Sequence, residues 1–246
     1  MEILREKNDE RLQILLTDMA LYFAEFTPAS AENQYGKLVD LLGQDHLAST
    51  VFASLNYDCL FELTAGSRHL PVNYWLGTPL SGVISLLKLH GSCNFVMQGL
   101  GTNIRMTDVT MSQIGVAFYE GPLEARHPTE IASLYANGPS MPPAISLYTT
   151  GKASMTGPSA IAAVREKWAA WVGQADVILP IGARVVLADH HVWEPMVESQ
   201  ADVWFVGGSE GDFDTLRQQL GPRLIELAGS FDEAVPIIGR RLRLLR

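Results

Sequence analysis

Cysteine is scarce in this sequence, since only Cys59 and Cys93 occur among 246 residues. Two cysteines cannot supply a disulfide framework, and without a Cys-x-x-Cys pair the sequence offers no all-cysteine zinc site. The simplest inference is a reducing compartment, so we expect the protein in the cytoplasm. The sequence also lacks an apolar run long enough to span a bilayer, and we therefore expect no membrane partner.

Positive charge is also limited, with 18 Lys and Arg against 27 Asp and Glu and a formal net charge of −9. This balance argues against nucleic acid as a partner, because phosphate contacts need clustered Lys and Arg. One basic run stands out near the C-terminus: Arg240, Arg241, Arg243 and Arg246. We interpret it as complementing the dipole of a terminal helix, with a patch for a partner protein as the alternative.

Apolar periodicity predicts the first elements of the chain. Apolar residues recur at steps of three and four between Leu12 and Phe26, which is typical of a helix with one wide apolar face. Tyr35 to Leu42 repeats the pattern, and Gly43 is expected to end that second helix in the left-handed conformation. A shorter helix is expected from Tyr57 to Leu63.

Short β-prone runs alternate with helical patterns further along the chain, as in βαβ units. We therefore expect an α/β fold, a Rossmann-like parallel sheet with helices on both faces, as a single domain over 1–246. The first run is expected to be a strand buried on both faces. The predicted strands are Thr50–Asn56, Ile84–His90, a weaker Ala144–Tyr148, Asp176–Gly182 and Asp202–Gly207, with a helix at Ile161–Val172.

The pattern breaks down between about residues 95 and 143, where Gly, Pro, Met, Ser and Thr follow one another with little periodicity. We interpret this stretch as an inserted lobe or long loops over one end of the sheet. Farther on, Asp189, His190 and His191 raise the question of a metal site. Adjacent histidines on a helix point in different directions, so we predict a helix start there and no metal site.

Polar residues follow the predicted strands. Because ligands of open parallel sheets bind at the carboxyl ends of the strands, these residues are the candidate site. Asn56 and Asp58 have an alternative role as a helix cap and a first-turn carboxylate, but the convergence of all the polar residues on one edge favours a ligand site. The candidates are Asn56, Asp58, His90, Gly182, Ala183, Arg184, Gly207 and Gly208.

Several of these segments resemble the sirtuin family. Ser54 to Asp58 resembles the Asn-x-Asp strand end of sirtuins, which reads Thr-Asn-Tyr-Asp in bacterial sirtuin-like proteins. Lys88 to Ser92 is similar to the Lys-Leu-His-Gly-Ser of the same group, and Asp189 to Trp193 to its Asp-x-His-x-Trp stretch. Ala175 to Gly182 looks like the strand that leads to the family's Gly-Thr-Ser turn.

The resemblance implies NAD as cofactor and ligand. It places Asp58 near the nicotinamide carboxamide, Asn56 at the ribose and its water, and His90 as a base toward a ribose hydroxyl. Gly182, Ala183, Arg184, Gly207 and Gly208 would then contact the nucleotide. A His with a pKa near neutrality can accept a proton at cellular pH.

We expect an NAD glycohydrolase of the bacterial type that acts in antiphage defence by NAD depletion. A non-catalytic sirtuin-like nucleotide sensor or partner-binding scaffold is the alternative, because Ala183 and Arg184 stand where the family carries Thr or Ser. An NAD-dependent protein deacylase is a further alternative, which the missing zinc-binding cysteines disfavour. A homo-oligomer or a partner protein is compatible with each of these functions.

Sirtuins begin with a strand and a Gly-Ala-Gly-x-Ser turn that cradles the NAD phosphates, and nothing before Asn56 contains this turn. Only Gly lets a backbone approach a pyrophosphate closely. We therefore expect the chain to lack about fifty to eighty N-terminal residues, to leave the apolar face from Leu12 to Phe26 without its partner, and to bind NAD weakly or not at all. An in-frame upstream segment encoding an apolar strand and Gly-x-Gly-x-Ser would confirm this expectation.

Overall fold

The computed structural model describes residues 9–74, 82–99, 109–111, 117–136, 141–146, 154–207 and 209–244. The chain falls into two compact units, each built from three stretches of sequence. The first unit comprises Met1–Pro28, Ala53–Leu63 and Lys88–Val164, and the second comprises Ala29–Phe52, Thr64–Leu87 and Arg165–Arg246. The expectation of a single domain over 1–246 stays a prediction.

Helices and strands alternate in the C-terminal part of the described chain, whereas several short strands follow one another in its middle. The helices are α1 Asp9–Ala24, α2 Gln34–Leu47, α3 Leu60–Gly66, α4 Pro128–Leu134, α5 Pro158–Val172, α6 His190–Glu198, α7 Glu210–Leu220 and α8 Phe231–Leu244. The strands are β1 Val51–Ser54, β2 Val72–Asn73, β3 Ile84–Lys88, β4 Phe95–Met97, β5 Val109–Met111, β6 Ala117–Tyr119, β7 Leu123–Ala125, β8 Val177–Ile178, β9 Asp202–Val206 and β10 Leu224–Ala228.

One sheet has the strand order β1-β3-β2. β2 runs parallel to β3, with Val72 opposite Ile84. All five residues of β3 are buried, including the polar Ser85 and the charged Lys88, as in a strand covered on both faces. β1 is half-buried and Ala53 is exposed, so the expectation that this strand is buried on both faces is wrong. In the part of the chain that the structure describes, β1 stands at the edge of this sheet, where its covering is less complete than that of the central β3.

A second sheet, within the second unit, has the order β10-β9-β8. Both pairs are parallel, with Leu224 opposite Val203 and Val177 opposite Asp202. α7 connects β9 to β10, and both α7 and α8 pack against β10. Parallel strands joined through a helix form a βαβ unit, and the α/β, Rossmann-like fold class expected from the sequence is confirmed.

The two N-terminal helices are confirmed, and Gly43 interrupts α2 with a positive φ, as expected. Gly43 has φ 60° and ψ 178°, which kinks the helix, and helical structure resumes and runs to Leu47. Glycine adopts this conformation at little cost because it has no Cβ. The expected apolar face of α1 is also covered, since Leu12, Leu16 and Ala20 lie in the hydrophobic core of the first unit together with Ile131 of α4. The expectation that this face lacks a partner is wrong.

The segment from 95 to 143 is more regular than its sequence suggests. In the described part, β4 pairs antiparallel with β7, β5 pairs antiparallel with β6, and α4 follows. The predicted strand at Ala144–Tyr148 is not a parallel strand, because Ile145 forms an isolated antiparallel bridge with Gly91. Tyr148 lies outside the described residues. Among the described residues, no helix is long and apolar enough to cross a membrane.

We predict that Gly91→Ala destabilises the protein far more than Gly82→Ala. Both glycines have positive φ, 78° and 75°. A Cβ at Gly91 would lie 1.9 Å from the carbonyl oxygen of Ala144, whereas a Cβ at Gly82 meets nothing within 4 Å. We expect the free energy of unfolding to fall by about 3 to 5 kcal/mol for Gly91→Ala and by about 1 to 2 kcal/mol for Gly82→Ala. Urea denaturation measures both, and equal losses would contradict the steric argument.

Candidate functional site

The segments that follow β1 and β3 run side by side in the first unit. The backbone amide of Leu89 donates to the carbonyl of Ser54 at 3.1 Å, and the amide of Cys93 donates to the carbonyl of Tyr57 at 2.9 Å. The side chain of Tyr57 is buried, and its hydroxyl donates to the carbonyl of Ser146 at 2.7 Å. These contacts bring the segment with Asn56 and Asp58 next to the segment with His90, as the sequence predicts.

Asn56 and Asp58 lie on either side of the buried Tyr57 and are more accessible than it. Asn56 is exposed, and its backbone amide donates to the hydroxyl of Ser54 at 3.1 Å. Asp58 is half-buried, and its Oδ1 accepts a hydrogen bond from the amide of Leu60 at 3.0 Å. This bond satisfies a backbone amide at the start of α3, so Asp58 stabilises the fold from a position just before the helix, not from its first turn. Ligand binding by Asp58 would involve a carboxylate already fixed by the fold.

His90 lies in the interior. His90 is only 1% exposed, whereas Asn56, which the sequence places at the same edge of the sheet, is exposed. The reason is that His90 continues β3, which is buried throughout, and the amide of Gly91 closes a tight turn on the carbonyl of Lys88 at 3.0 Å. A role for His90 as a base toward a ribose hydroxyl stays a prediction.

Lys88, the last residue of β3, forms a buried ion pair that sequence patterns did not reveal. Its Nζ lies 3.2 Å from Oε1 of Glu62, with side chains 1% and 9% exposed, respectively. The same ammonium donates to the carbonyl of Asp58. Glu62 lies in the first turn of α3, where an acidic residue is common and carries no specific signal.

The pKa of Lys88 reflects two opposing effects. Burial disfavours the charged ammonium, but the negative charge of Glu62 and its hydrogen bond outweigh burial and raise the pKa of Lys88 above its ordinary value. The ammonium is therefore charged at neutral pH and holds the turn between β1 and α3 against the end of β3. This part of the Lys-Leu-His-Gly-Ser segment has a structural function.

Cys59 and Cys93 pack against each other in the interior of the first unit. Both are free and buried, and their Sγ atoms are 3.7 Å apart. The hydrogen bond with Cys93 and burial together raise the pKa of the Cys59 thiol far above its ordinary range. A thiol that stays protonated is a poor nucleophile, so Cys59 belongs to the packing of this region.

The remaining candidates lie in the second unit, where the structure brings Gly182 close to Gly207. The amide of Gly182 donates to the carbonyl of Val206 at 2.9 Å, and the amide of Gly207 donates to the carbonyl of Ala228 at 2.9 Å. Both glycines have positive φ, 62° and 70°. Gly207 directly follows β9, and Gly182 lies beyond β8, directly after the isolated parallel bridge between Ile181 and Val206. Gly208 lies outside the described residues.

Asp212, in the first turn of α7, forms hydrogen bonds with the segment that follows β8 and with the segment that follows β9. Its Oδ1 accepts from the amide of Val185 at 2.8 Å, and its Oδ2 accepts from the amide of Ser209 at 3.1 Å and from the Ser209 hydroxyl at 2.7 Å. Arg184 completes the set, with Nε 2.9 Å from Oδ2. Burial favours the neutral acid, but the bonds from Ser209 and Val185 and the charge of Arg184 lower the pKa of Asp212.

Sequence reasoning missed Asp212, although a signal was present. Ser209 and Asp212 have the spacing of a capping box, in which the side chain of each residue accepts from the backbone amide of the other. The amides of Ser209 and Asp212 are therefore already engaged. This arrangement favours an ordinary helix start after β9, and contact of Gly207 with a nucleotide stays a prediction.

Asp189 and His190 lie where a helix begins, as the sequence predicts. A 3₁₀ turn at Leu187–Asp189 leads into α6, which starts at His190. Trp168 packs against this helix in the second unit, and its Nε1 donates to the carbonyl of Val192 at 3.1 Å.

The sequence as a whole matches no protein-family model and no curated protein. The sirtuin resemblance therefore stays an expectation.

We predict that Lys88→Met is strongly destabilising, because it leaves the Glu62 carboxylate buried without its counter-charge. We expect a loss of about 3 to 5 kcal/mol in the free energy of unfolding. The double variant Lys88→Met with Glu62→Leu removes both charges and should recover most of that loss. If the double variant is as unstable as the single one, packing of the lysine stem and not the charge is what matters.

The ion pair also predicts a pH dependence. The pKa of Lys88 is raised in the folded state above the ordinary 10.5, so its contribution is fully present below pH 10.5 and is lost as the pH rises through the folded-state value. The wild-type protein should therefore lose stability in strongly alkaline solution more steeply than the double variant. Urea denaturation from neutral pH to beyond pH 10.5 tests this, and parallel pH profiles would contradict it.

Proposed function

We propose that the strand ends carrying Asn56 and Asp58 bind NAD and cleave its nicotinamide–ribose bond. The observation that supports this proposal is the pairing of the segments after β1 and β3, through Leu89 with Ser54 and Cys93 with Tyr57. This pairing holds an exposed amide and a half-buried carboxylate on a fixed backbone at the carboxyl ends of adjacent strands. Such an edge is the usual ligand site of open α/β sheets.

The reaction needs little acid catalysis. The C1′–N bond breaks, its electron pair stays on the neutral nicotinamide, and water attacks the ribose carbon to yield ADP-ribose and a proton. Positive charge develops on the ribose in the transition state, so orientation, a placed water and hydrogen-bond acceptors are sufficient. In the proposal, Asn56 orients the water at the ribose, and Asp58 accepts a hydrogen bond from the nicotinamide carboxamide.

The proposed role of His90 is harder to test by substitution than that of Asn56. The resemblance assigns it as a base, but its burial means that His90→Ala would also leave a cavity in the core. Loss of turnover in that variant would not separate a chemical role from a structural one. Asn56 is exposed, so its substitution is the cleaner test of the site.

The second candidate function is a non-catalytic nucleotide sensor or partner-binding scaffold. The capping box of α7 favours it, because that helix start has its Ser209 and Asp212 amides engaged and carries the acidic Glu210. A protein deacylase has less support, since Cys59 and Cys93 are packed against each other in the interior. In the biological setting, we propose a cytoplasmic NAD-depleting enzyme of antiphage defence.

We predict that the purified chain releases nicotinamide from NAD slowly and at high substrate concentration, because it lacks a Gly-rich phosphate turn. Asn56→Ala should abolish this release while retaining the cooperative melt of the wild-type protein. Gln218→Ala, an exposed amide in α7, is the matched control and should leave the rate unchanged. Nicotinamide release can be followed by chromatography, with calorimetry on NAD and ADP-ribose alongside.

The outcomes separate the candidate functions. NAD or ADP-ribose binding without turnover indicates a sensor, and the absence of both binding and turnover indicates a scaffold. Removal of acetyl groups from lysine peptides, with NAD untouched when the peptides are left out, would contradict the glycohydrolase proposal. Loss of the cooperative melt in Asn56→Ala would assign Asn56 to the fold.

A further inference from the structure

We propose that Cys59 and Cys93 form a reversible disulfide when the protein meets hydrogen peroxide. Both residues belong to the first unit, both are free thiols, and their Sγ atoms are 3.7 Å apart. They are the two cysteines of the chain, so a disulfide within one molecule has a single possible pairing. The formation of this bond does not depend on the proposed function, whereas its effect on NAD turnover does.

The backbone holds the two thiols where a disulfide can close. The amide of Cys93 donates to the carbonyl of Tyr57 at 2.9 Å, and Cys59 follows Tyr57 by two residues. The two segments therefore lie side by side, and both cysteine side chains lie in the same hydrophobic cluster. Bonded sulfurs are about 2 Å apart, so the two Sγ atoms must approach each other by about 1.7 Å.

The two sulfurs have different tasks in the oxidation. The hydrogen bond with Cys93, together with burial, raises the pKa of the Cys59 thiol far above its ordinary range, so Cys59 keeps its proton. The first attack therefore falls to Cys93, and a neighbouring S–H donor stabilises the negative charge of an attacking thiolate. Among the nearby charges, Glu62 disfavours a thiolate at Cys59 and Lys88 favours one, and these two residues are paired with each other.

The oxidation consumes one molecule of peroxide. The thiolate of Cys93 attacks one peroxide oxygen, the O–O bond breaks, and the departing hydroxide takes up the proton that Cys93 released. The sulfur of Cys59 then attacks the sulfenic acid on Cys93, and its own proton leaves with the hydroxyl group as a second water. The two sulfurs together lose two electrons, and the peroxide is reduced to two molecules of water. A small-molecule thiol reverses the bond by exchange.

Burial limits which oxidants reach the pair. Cys59 is 1% exposed and Cys93 is 0% exposed. Hydrogen peroxide is similar in size to water and reaches such sites through local opening of the structure, whereas a bulky aromatic disulfide does not. We therefore expect a slow oxidation that is selective for small oxidants. A transient disulfide of this kind agrees with the reducing compartment that the sequence predicts.

The disulfide would alter the candidate site of the same unit. Cys59 directly follows Asp58, whose carboxylate holds the amide of Leu60. The approach of the sulfurs therefore pulls on the turn that carries Asn56 and Asp58. Because small displacements of catalytic groups lower rates steeply, we expect oxidation to reduce nicotinamide release roughly tenfold or more. This expected loss rests on the proposed function.

Mass spectrometry on the full chain tests the inference. Peroxide should remove two hydrogens from the reduced wild-type protein, and digestion without reductant should yield a cross-linked peptide pair that contains Cys59 and Cys93. Methionine oxidation adds oxygen and is therefore distinguished by mass. Dithiothreitol should restore both thiols and the rate of nicotinamide release. A bulky aromatic disulfide should leave both thiols unmodified until urea unfolds the protein.

Two single variants test the order of attack. In Cys59→Ala, the oxidation of Cys93 should stop at the sulfenic acid, which dimedone traps. In Cys93→Ala, dimedone should trap nothing at Cys59, because that thiol keeps its proton. Trapping at Cys59 alone would contradict the assigned order. The wild-type measurement stands by itself if either variant fails to fold.

The outcomes separate this inference from the proposed function. A pair that stays reduced, that oxidises to sulfinic or sulfonic acid without a cross-link, or that bonds only between two chains overturns the inference, even if NAD is cleaved. If the cross-link forms and neither form of the protein cleaves NAD, the disulfide is supported and the glycohydrolase proposal is wrong. Equal rates of NAD cleavage before and after oxidation would show that the expected effect on the site is wrong.

Discussion

The buried ammonium of Lys88 is the constraint on which the candidate site in the first unit depends. Burying an isolated charge costs several kcal/mol, so the lysine is tolerated only because Glu62 supplies the counter-charge and Asp58 supplies a carbonyl acceptor. Satisfying this one charge fixes the turn between β1 and α3 against the end of β3. The accessible side chains of Asn56 and Asp58 take their positions from that arrangement.

Each unit has an aspartate near a strand end whose carboxylate stabilises the start of the following helix. Asp58 accepts from the amide of Leu60 at the start of α3, and Asp212 accepts from Val185 and Ser209 at the start of α7. Helix starts after parallel strands leave unpaired amides, and an acidic side chain is the simplest local way to satisfy them. A polar residue at a strand end can therefore be structural and still be placed where a ligand would meet it.

The two carboxylates differ in what they leave accessible. Asp58 caps its helix beside an exposed amide, Asn56, whereas Asp212 caps its helix and also holds an exposed guanidinium, Arg184. The first arrangement leaves a neutral amide accessible, and the second leaves a positively charged side chain accessible.

The sequence by itself determined the features that depend on neighbours within a few turns of chain: α1, α2, the buried β3, β9 and the α/β class all follow from local periodicity. It also located the polar strand ends. Only the tertiary structure decided the burial of His90, the pairing of Lys88 with Glu62, and the antiparallel pairing of Phe95 with Ala125. Those features depend on which distant segments meet, and three-residue strands or a single acidic residue in a first helical turn carry too little local signal to specify a partner.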